Sequence, residues 1–189
     1  MRQAVVARRN MLFMDDNTRM RARWLRTRSV SKKTIVIMSI VVGVFLADAF
    51  TKSAAQQYLP PAGAIYISPF LNLKLAYNQG ISFGLLKANS TTDVITLLVF
   101  QCAILAALGY LAMRSSVPIE RASLSLIVGG AVGNIFDRAV NHAVTDFLDL
   151  HLYGWHWPTF NVADIAISIG AVLLIWTTIR NTHRQGPQA

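Results

Sequence analysis

The chain has 189 residues, of which 53% are hydrophobic and only 14% are charged, whereas soluble domains carry roughly 25% charged residues. This composition excludes an ordinary soluble globular domain and predicts one membrane-embedded domain with several spans. The net charge of +9 comes largely from a basic N-terminal stretch. That stretch contains no folded module to present it to nucleic acid, so we expect no nucleic-acid binding.

Four apolar segments predict an α-helical membrane protein with four transmembrane helices. The segments are Thr34–Phe50, Val94–Met113, Ala122–Phe136 and Val162–Ile179. The second has the length of about 20 residues that a bilayer requires, and the first and fourth are slightly shorter. The third is the shortest, and we expect Asn134 and its neighbours to complete it at the membrane interface.

The basic residues predict the orientation of these spans. Ten of them precede the first span, two bracket the short connection between spans two and three, and two follow span four. The longer connections carry fewer basic residues for their length, so both termini and the short connection are expected on the cytoplasmic side. The predicted organisation is a basic tail at residues 1–33, a four-span domain at 34–182 and a C-terminal tail at 183–189.

The connection between spans one and two predicts a small extracytoplasmic β-sheet. Residues Ala64–Tyr77 roughly alternate apolar and polar side chains, which is typical of short strands. Asn78-Gln79-Gly80 supplies a turn, and residues 81–84 are expected to return as a further strand. The segment Ser90–Asp93 has the spacing of a capping box at the start of span two.

The predicted topology gathers polar side chains at the outer interface, where spans one and three end and spans two and four begin. Ionisable residues are costly in a bilayer and usually have a function there. Asp48 and Lys52 have the spacing of a helical ion pair, which either lets both charges tolerate the interface or braces a site. Asp137 is expected to form a structural ion pair with Arg138. The gathered residues are Asp48, Lys52, Asn134, Asp137, Arg138, Asp146 and Asp164.

Asp146 and Asp164 are the predicted catalytic pair. Two carboxylates held close together cannot both ionise easily and therefore share a proton. One can then act as a base on water while the other polarises a carbonyl as an acid, as in aspartic proteases. Asn161 is a good helix N-cap, so Asp164 falls in a first helical turn, where the dipole favours its ionised form. Asp146 is expected in a loop over the site, residues 141–159, and Asp149 as a solvated residue.

Other functions also fit paired carboxylates in a membrane. An ion-coupled transporter is the main alternative, although only Gln101 and Cys102 interrupt the apolar run of span two before Tyr110. A non-catalytic scaffold is a third possibility. Cys102 is expected to pack in the core. Three loop histidines lack a helical His-x-x-x-His spacing or a cysteine partner, so we expect no metal site; they are His142, His151 and His156.

At five places the sequence resembles the bacterial lipoprotein signal peptidases, the signal peptidase II family. The matching blocks occur in the family's order between about Asp48 and Gly170. They are Asp48-x-x-Thr51-Lys52, Asn78-x-Gly80-x-Ser82-Phe83-Gly84, Gly129-Gly130-Ala131-x-Gly133-Asn134-x-x-Asp137-Arg138, Val144-Thr145-Asp146-Phe147 and Phe160-Asn161-x-Ala163-Asp164. The chain departs from the family pattern at Ala49, where glutamine is expected, at Thr145, where valine is usual, and in its long basic tail.

The resemblance implies an inner-membrane endopeptidase that cuts a prolipoprotein signal peptide just before a diacylglyceryl-modified cysteine. The family's catalytic dyad corresponds to Asp146 and Asp164, and Asp48 and Lys52 correspond to a structural brace. The resemblance also implies that no metal or organic cofactor is needed and that the antibiotic globomycin blocks the enzyme by occupying the dyad. We expect a monomer among membrane lipids. The implied substrate-positioning and supporting residues are Asn78, Gly80, Asn134, Arg138 and Asn161.

Overall fold

The computed structural model describes residues 31–80 and 90–185, with side chains as far as residue 182. The predicted N-terminal tail, apart from residues 31–33, lies outside these residues, as do the returning segment 81–84 and residues 186–189. The compact unit begins at Val36. In chain order the elements are α1 (Lys32–Tyr58), β1 (Ile65–Ser68), β2 (Leu71–Asn78), α2 (Thr91–Arg114), α3 (Pro118–Asn141), β3 (Val144–Leu152), β4 (Trp155–His156) and α4 (Val162–Gln185).

The prediction of four membrane-spanning helices is confirmed. Each of the four helices is long and apolar enough to cross a bilayer. Each helix is longer than the apolar segment that predicted it. The helix α1 continues through Asp48 and Lys52 to Tyr58, and α3 runs on through Arg138 to Asn141. These extensions carry polar side chains that are paired inside the protein, so hydropathy alone could not locate the helix ends.

Small residues allow the helices to approach closely around α3. The Gly129-x-x-x-Gly133 spacing predicts a close helix contact, and a Cβ atom added at Gly129 would lie 2.9 Å from the Cβ of Val44 on α1. On another side of α3, a Cβ atom added at Gly130 would lie 2.5 Å from the backbone oxygen of Ala163 on α4. The helix α2 also packs against α3. A groove is left between α2 and α4.

The predicted sheet is present and has four antiparallel strands in the order β1-β2-β3-β4. In the central pair, Ala76 of β2 lies opposite Asp146 of β3, and Asn78 lies opposite Val144. The prediction of a loop at residues 141–159 is wrong, because most of that segment forms β3 and β4. Its charged and histidine residues obscured the strand pattern. A tight turn joins the two strands at Tyr153 and Gly154, both of which have positive φ angles, 50° and 80°.

Many large apolar side chains of the helices are exposed, as expected for surfaces that contact lipid. They include Phe50 on α1 and Val99 on α2. Cys102 is exposed on α2 as well, so the expectation of a packed core cysteine is wrong. The buried core is correspondingly small. One cluster contains Ala55, Leu59 and Phe147, and it joins the end of α1 to the sheet.

Candidate active site

Asp164 lies in the first turn of α4 and is held there by a reciprocal pair of hydrogen bonds. The backbone N–H of Asp164 donates to Asn161 Oδ1 at 3.0 Å, and the backbone N–H of Asn161 donates to Asp164 Oδ2 at 3.1 Å. This arrangement is a capping box with an aspartate in the third helical position. The predicted N-cap role of Asn161 is therefore confirmed, and the Asp164 carboxylate lies at the positive end of the helix dipole.

Asp146 reaches the same site from β3 and is buried, with 3% of its surface exposed. Its Oδ1 accepts a hydrogen bond from Asn161 Nδ2 at 2.7 Å. Burial is the main reason why the pKa of Asp146 is raised from 3.8 to about 7, and repulsion from the Asp164 carboxylate adds to the rise. Hydrogen bonds from Asn161 and Asn78 and the charge of Lys52 oppose it. Asp146 therefore keeps its proton to a much higher pH than an ordinary aspartate does, and it is partly protonated at neutral pH.

Two asparagines connect the carboxylates. Asn134 on α3 donates from Nδ2 to Asp164 Oδ1 at 2.9 Å, while Asn161 donates to Asp146. The two amides also contact each other, because Asn161 Nδ2 lies 3.2 Å from Asn134 Oδ1. Both carboxylates line one cavity. The structure thus brings together the two aspartates and the two asparagines that the sequence predicted.

The predicted ion pair of Asp48 and Lys52 is present, and its contacts favour the interpretation of the pair as a brace over that of two charges that merely tolerate the interface. Lys52 Nζ lies 2.7 Å from Asp48 Oδ2 and donates to Asn134 Oδ1 at 2.8 Å. Asp48 Oδ1 accepts a hydrogen bond at 2.9 Å from the backbone N–H of Ala163, at the start of α4. The pair therefore ties α1 to α3 and to the start of α4, as expected of a brace.

The expected pairing of Asp137 with Arg138 is wrong. Asp137 Oδ2 lies 3.6 Å from Lys52 Nζ and accepts a hydrogen bond from the backbone N–H of Thr145 at 2.6 Å. Adjacent residues on a helix point in different directions, so Asp137 faces α1 and β3 while Arg138 faces α2 and β2. Asp137 thus holds the strand residue that precedes Asp146.

Arg138 connects three elements through its guanidinium group. It donates to the backbone oxygen of Gly80 at 2.6 Å and to that of Asn78 at 3.5 Å. It also donates to Gln101 Oε1 on α2 at 3.1 Å. The side chain of Asn78 accepts a hydrogen bond from the backbone N–H of Gly80, which confirms the predicted turn. Arg138 therefore holds the end of β2 against the site.

A cavity of about 750 Å³ opens beside the two carboxylates. Its walls come from α2, α3 and α4 and from the segment between β4 and α4. Most of the lining side chains within the helices are apolar, and they extend along α2 as far as Leu108 and along α3 as far as Ile127. Ionisable groups thus face an apolar groove that runs along the membrane-spanning helices.

The expectation of a solvated Asp149 is also wrong, because this residue belongs to a separate buried cluster on the sheet. His156 Nδ1 donates to Asp149 Oδ1 at 2.8 Å, and Asn72 Nδ2 donates to Asp149 Oδ2 at 3.2 Å. Burial alone would raise the pKa of Asp149, but these hydrogen bonds and the neighbouring charges lower it below its ordinary value. Side chains alternate between the faces of a strand, so Asp149 and Asp146 lie on opposite faces of β3.

Sequence reasoning missed several polar contacts of the site. The predicted site does not include Gln101, although an amide within a membrane span is itself a signal of function. The Thr145 hydroxyl accepts a hydrogen bond from Gln56 Nε2 at 2.8 Å. Nothing in the sequence indicated that Gln56 and Thr145 meet.

A pair of carboxyl groups of which one is protonated and one ionised can activate water and polarise a carbonyl together. Similar proteins agree with this chemistry. A profile described as "Signal peptidase (SPase) II" matches residues 40–180. The lipoprotein signal peptidase of Pelagibacter ubique is 41% identical over 138 residues, which cover 72% of this chain and 82% of that protein. That of Burkholderia thailandensis is 38% identical over 147 residues, covering 77% and 89%.

Two solved structures share the fold. One, a bacterial membrane enzyme determined by the in meso method at 2.3 Å resolution, superposes with a TM-score of 0.72 at 27% identity and covers 81% of this chain and 93% of its own. A second, at 1.9 Å resolution, gives a TM-score of 0.66 at 28% identity, with 75% and 91% covered. With a family profile that spans most of its length and relatives of this identity, the chain belongs to the signal peptidase II family, whose members are aspartic peptidases of bacterial membranes.

Proposed function

We propose that this chain removes the signal peptide from diacylglyceryl-modified prolipoproteins and that Asp146 and Asp164 are its catalytic residues. The observation that carries the assignment is the pair of carboxyl groups joined through Asn134 and Asn161 at the mouth of an apolar groove. A peptidase that cuts lipid-modified precursors needs both features, because its substrate stays in the bilayer while one peptide bond reacts with water.

In the proposed mechanism, Asp164 acts as the base and Asp146 as the acid. The helix N-terminus and the amide of Asn134 favour negative charge at the Asp164 carboxylate, and the pKa of Asp146, raised to about 7, makes a proton available on that side chain near neutral pH. Asp164 takes a proton from water as the water oxygen attacks the scissile carbonyl carbon, and Asp146 gives its proton to the carbonyl oxygen. A tetrahedral diol results.

Collapse of the diol completes the reaction. The proton on Asp164 passes to the amide nitrogen, the C–N bond breaks, and the proton of one diol hydroxyl returns to Asp146. The products are a carboxylic acid on the signal peptide and a free amine on the modified cysteine. The pair is then restored to its starting state, so this scheme draws on the chain's own residues and on water.

The remaining predicted site residues support this pair in the proposed enzyme. Asn78 ends the strand that lies beside Asp146 and Gly80 follows in the turn, and Arg138 holds this segment through the backbone oxygens of both residues. A substrate peptide lying between this strand end and α4 is oriented past both carboxylates. Asp48, Lys52 and Asp137 hold the start of α4 and the strand β3, which carry the pair, against α1 and α3.

The proposed orientation places the site on the outer side of the cytoplasmic membrane. It follows from the basic residues, which lie before and at the start of α1, at the facing ends of α2 and α3, and in the last turns of α4, and which favour the cytoplasmic side. In this orientation the 1–33 and 183–189 segments are cytoplasmic tails, residues 34–182 form the peptidase domain, and membrane lipids surround a monomer. The transporter alternative gains no support from the family or from the apolar groove wall.

The test is cleavage of a diacylglyceryl-modified precursor by the purified protein, with and without globomycin. Asp146→Asn and Asp164→Asn are each expected to abolish cleavage while the protein still accumulates in membranes. The matched control is Asp149→Asn, which changes a buried aspartate on the other face of β3 and should retain cleavage. Activity in either dyad variant would refute the assignment of the pair.

A further inference from the structure

Two polar side chains outside the dyad network face the groove from different helices. Gln101 belongs to α2 and Ser168 to α4, and both line the cavity among mainly apolar neighbours. Polar groups within a membrane span are costly and usually serve a function. Neither residue belongs to the blocks by which the family was identified.

Ser168 lies one helical turn deeper than Asp164 on the same face of α4, because residues four apart on a helix lie above one another. Serine and threonine within a helix commonly donate to the carbonyl oxygen four residues earlier. Ser123, Ser125 and Thr177 do so here, at 2.8, 2.7 and 2.6 Å. Ser168 forms no such bond with any residue that the structure describes, and it is an exposed residue that lines the groove.

Gln101 has one of its two polar atoms occupied. Its Oε1 accepts the hydrogen bond from Arg138 Nη1 at 3.1 Å, which fixes the orientation of the amide. Within the described ranges its Nε2 group forms no hydrogen bond. The amide therefore offers N–H donors in the cavity that the two carboxylates also line, and Ser168 offers a hydroxyl that both donates and accepts.

A peptide that lies extended in a dry groove exposes backbone N–H and C=O groups that water cannot reach. Each such group needs a hydrogen-bond partner at membrane depth. A signal segment must lose its helical hydrogen bonds near the bond that is cut, so that this bond can enter the dyad. Its backbone groups are then unpaired just where Gln101 and Ser168 lie.

We propose that Gln101 and Ser168 bind the main chain of the signal segment immediately before the scissile bond, one from each wall of the groove. This inference rests on the proposed function. Because the contacts are made to backbone atoms, they hold any signal segment in place regardless of its apolar side chains. They act as substrate-binding residues and take no part in the proton transfers.

The test replaces single backbone amides of the substrate by esters. In synthetic diacylglyceryl-modified precursors, each of the peptide bonds before the cleaved one is changed in turn, which removes one N–H donor and weakens one carbonyl acceptor. kcat/KM is measured with the full-length wild type, Ser168→Ala and Gln101→Ala in lipid nanodiscs. Ser39→Ala is the control, since Ser39 is exposed on α1 away from the groove. Ser168→Thr keeps the hydroxyl.

If Ser168 binds a backbone group of the substrate, the ester at that position should lower kcat/KM of the wild type by about 2- to 10-fold relative to the all-amide precursor. The same ester should lower kcat/KM of Ser168→Ala by less than about 2-fold. Gln101→Ala should lose sensitivity at a different position, and Ser39→Ala and Ser168→Thr should behave as the wild type does. Any general damage caused by losing the Arg138 contact would slow all substrates equally and cancel in this comparison. Equal ester costs in every variant would overturn the inference. Failure of the wild type to cut the all-amide precursor would instead refute the proposed function.

Discussion

At the residue scale, the two buried aspartates of β3 show how position decides chemistry. Asp146 and Asp149 are three residues apart and point to opposite faces of one strand. Burial and a neighbouring carboxylate raise the pKa of Asp146, whereas hydrogen bonds from His156 and Asn72 outweigh burial at Asp149 and lower its pKa. One residue therefore keeps a proton available for catalysis, while the other is a stably ionised part of the structure.

Asp146→Asn is expected to leave the folded protein at least as stable as the wild type at pH 8. The pKa of Asp146 is about 7 in the folded protein against an ordinary 3.8, so ionisation of this carboxyl group opposes folding. Its protonated form contributes fully to the free energy of unfolding below about pH 4, and this contribution is lost as the pH rises through 7. Ionisation of Asp146 lowers the free energy of unfolding by at most about 4 kcal/mol. Melting temperatures in detergent should rise for the variant at pH 8 and converge with those of the wild type at pH 4. A variant that melts well below the wild type at pH 8 would contradict this.

Asp149→Asn should have the opposite effect on stability while cleavage continues. Its pKa is lowered in the folded protein, so the ionised carboxylate stabilises the fold above about pH 4, and this contribution is lost as the pH falls below that value. Removing the charge leaves the His156 donor poorly paired, at a cost of about 1–3 kcal/mol. Thermal unfolding at pH 7 measures the loss. Unchanged stability together with lost cleavage would place Asp149 in the catalytic machinery.

At the scale of elements, α3 organises the site because it touches every other part that builds it. Its small residues let α1 and α4 approach, and its polar end supplies Asn134, Asp137 and Arg138. Each of these three side chains faces a different neighbour, namely α4, β3 and the end of β2. A small displacement of α3 would therefore disturb both carboxylates at once.

Gly130→Ala should lower both stability and cleavage for this reason. The added methyl group would lie 2.5 Å from the backbone oxygen of Ala163, which cannot move without shifting the first turn of α4 and Asp164 with it. Overpacking of this kind costs about 1–3 kcal/mol. Gly109→Ala on α2 is the matched control, because nothing lies within 4 Å of the added atom. Melting temperature and kcat/KM should fall for the first variant only, and equal behaviour of the two would argue against close α3–α4 packing.

Arg138→Lys should reduce kcat/KM by at least about 10-fold although the charge is kept. The guanidinium group donates to Gln101 and to two backbone oxygens at once, and a lysine cannot reproduce this planar fork of donors. Freeing the end of β2 loosens the strand residue opposite Asp146. The steady-state rate on the lipid-modified precursor measures the effect, with melting temperature as the check on folding. A rate within 2-fold of the wild type would show that the strand end is held by other contacts.

At the scale of the whole molecule, the sequence alone predicted the four spans, the sheet between the first two, and the dyad. Hydropathy and periodicity are local signals, and the dyad followed from acidic residues that four spans must gather at one end. The partners of Asp137 and Asp149 could not be predicted in this way. They depend on which faces of α3 and β3 meet other elements, and that information lies in contacts between residues far apart in the chain.

The orientation of the whole molecule decides whether the dyad can meet an exported precursor, and it yields the last prediction. Tyr153, at the tip of the β3–β4 turn, is 99% exposed, and Ser116 is exposed in the connection between α2 and α3. In a Cys102→Ala background, a cysteine at position 153 should react with a membrane-impermeant maleimide in intact spheroplasts. A cysteine at position 116 should react only after permeabilisation, because Arg114 and Arg121 hold that connection on the cytoplasmic side. The reverse pattern would place Asp146 and Asp164 in the cytosol, where a precursor with its modified cysteine outside could not reach them.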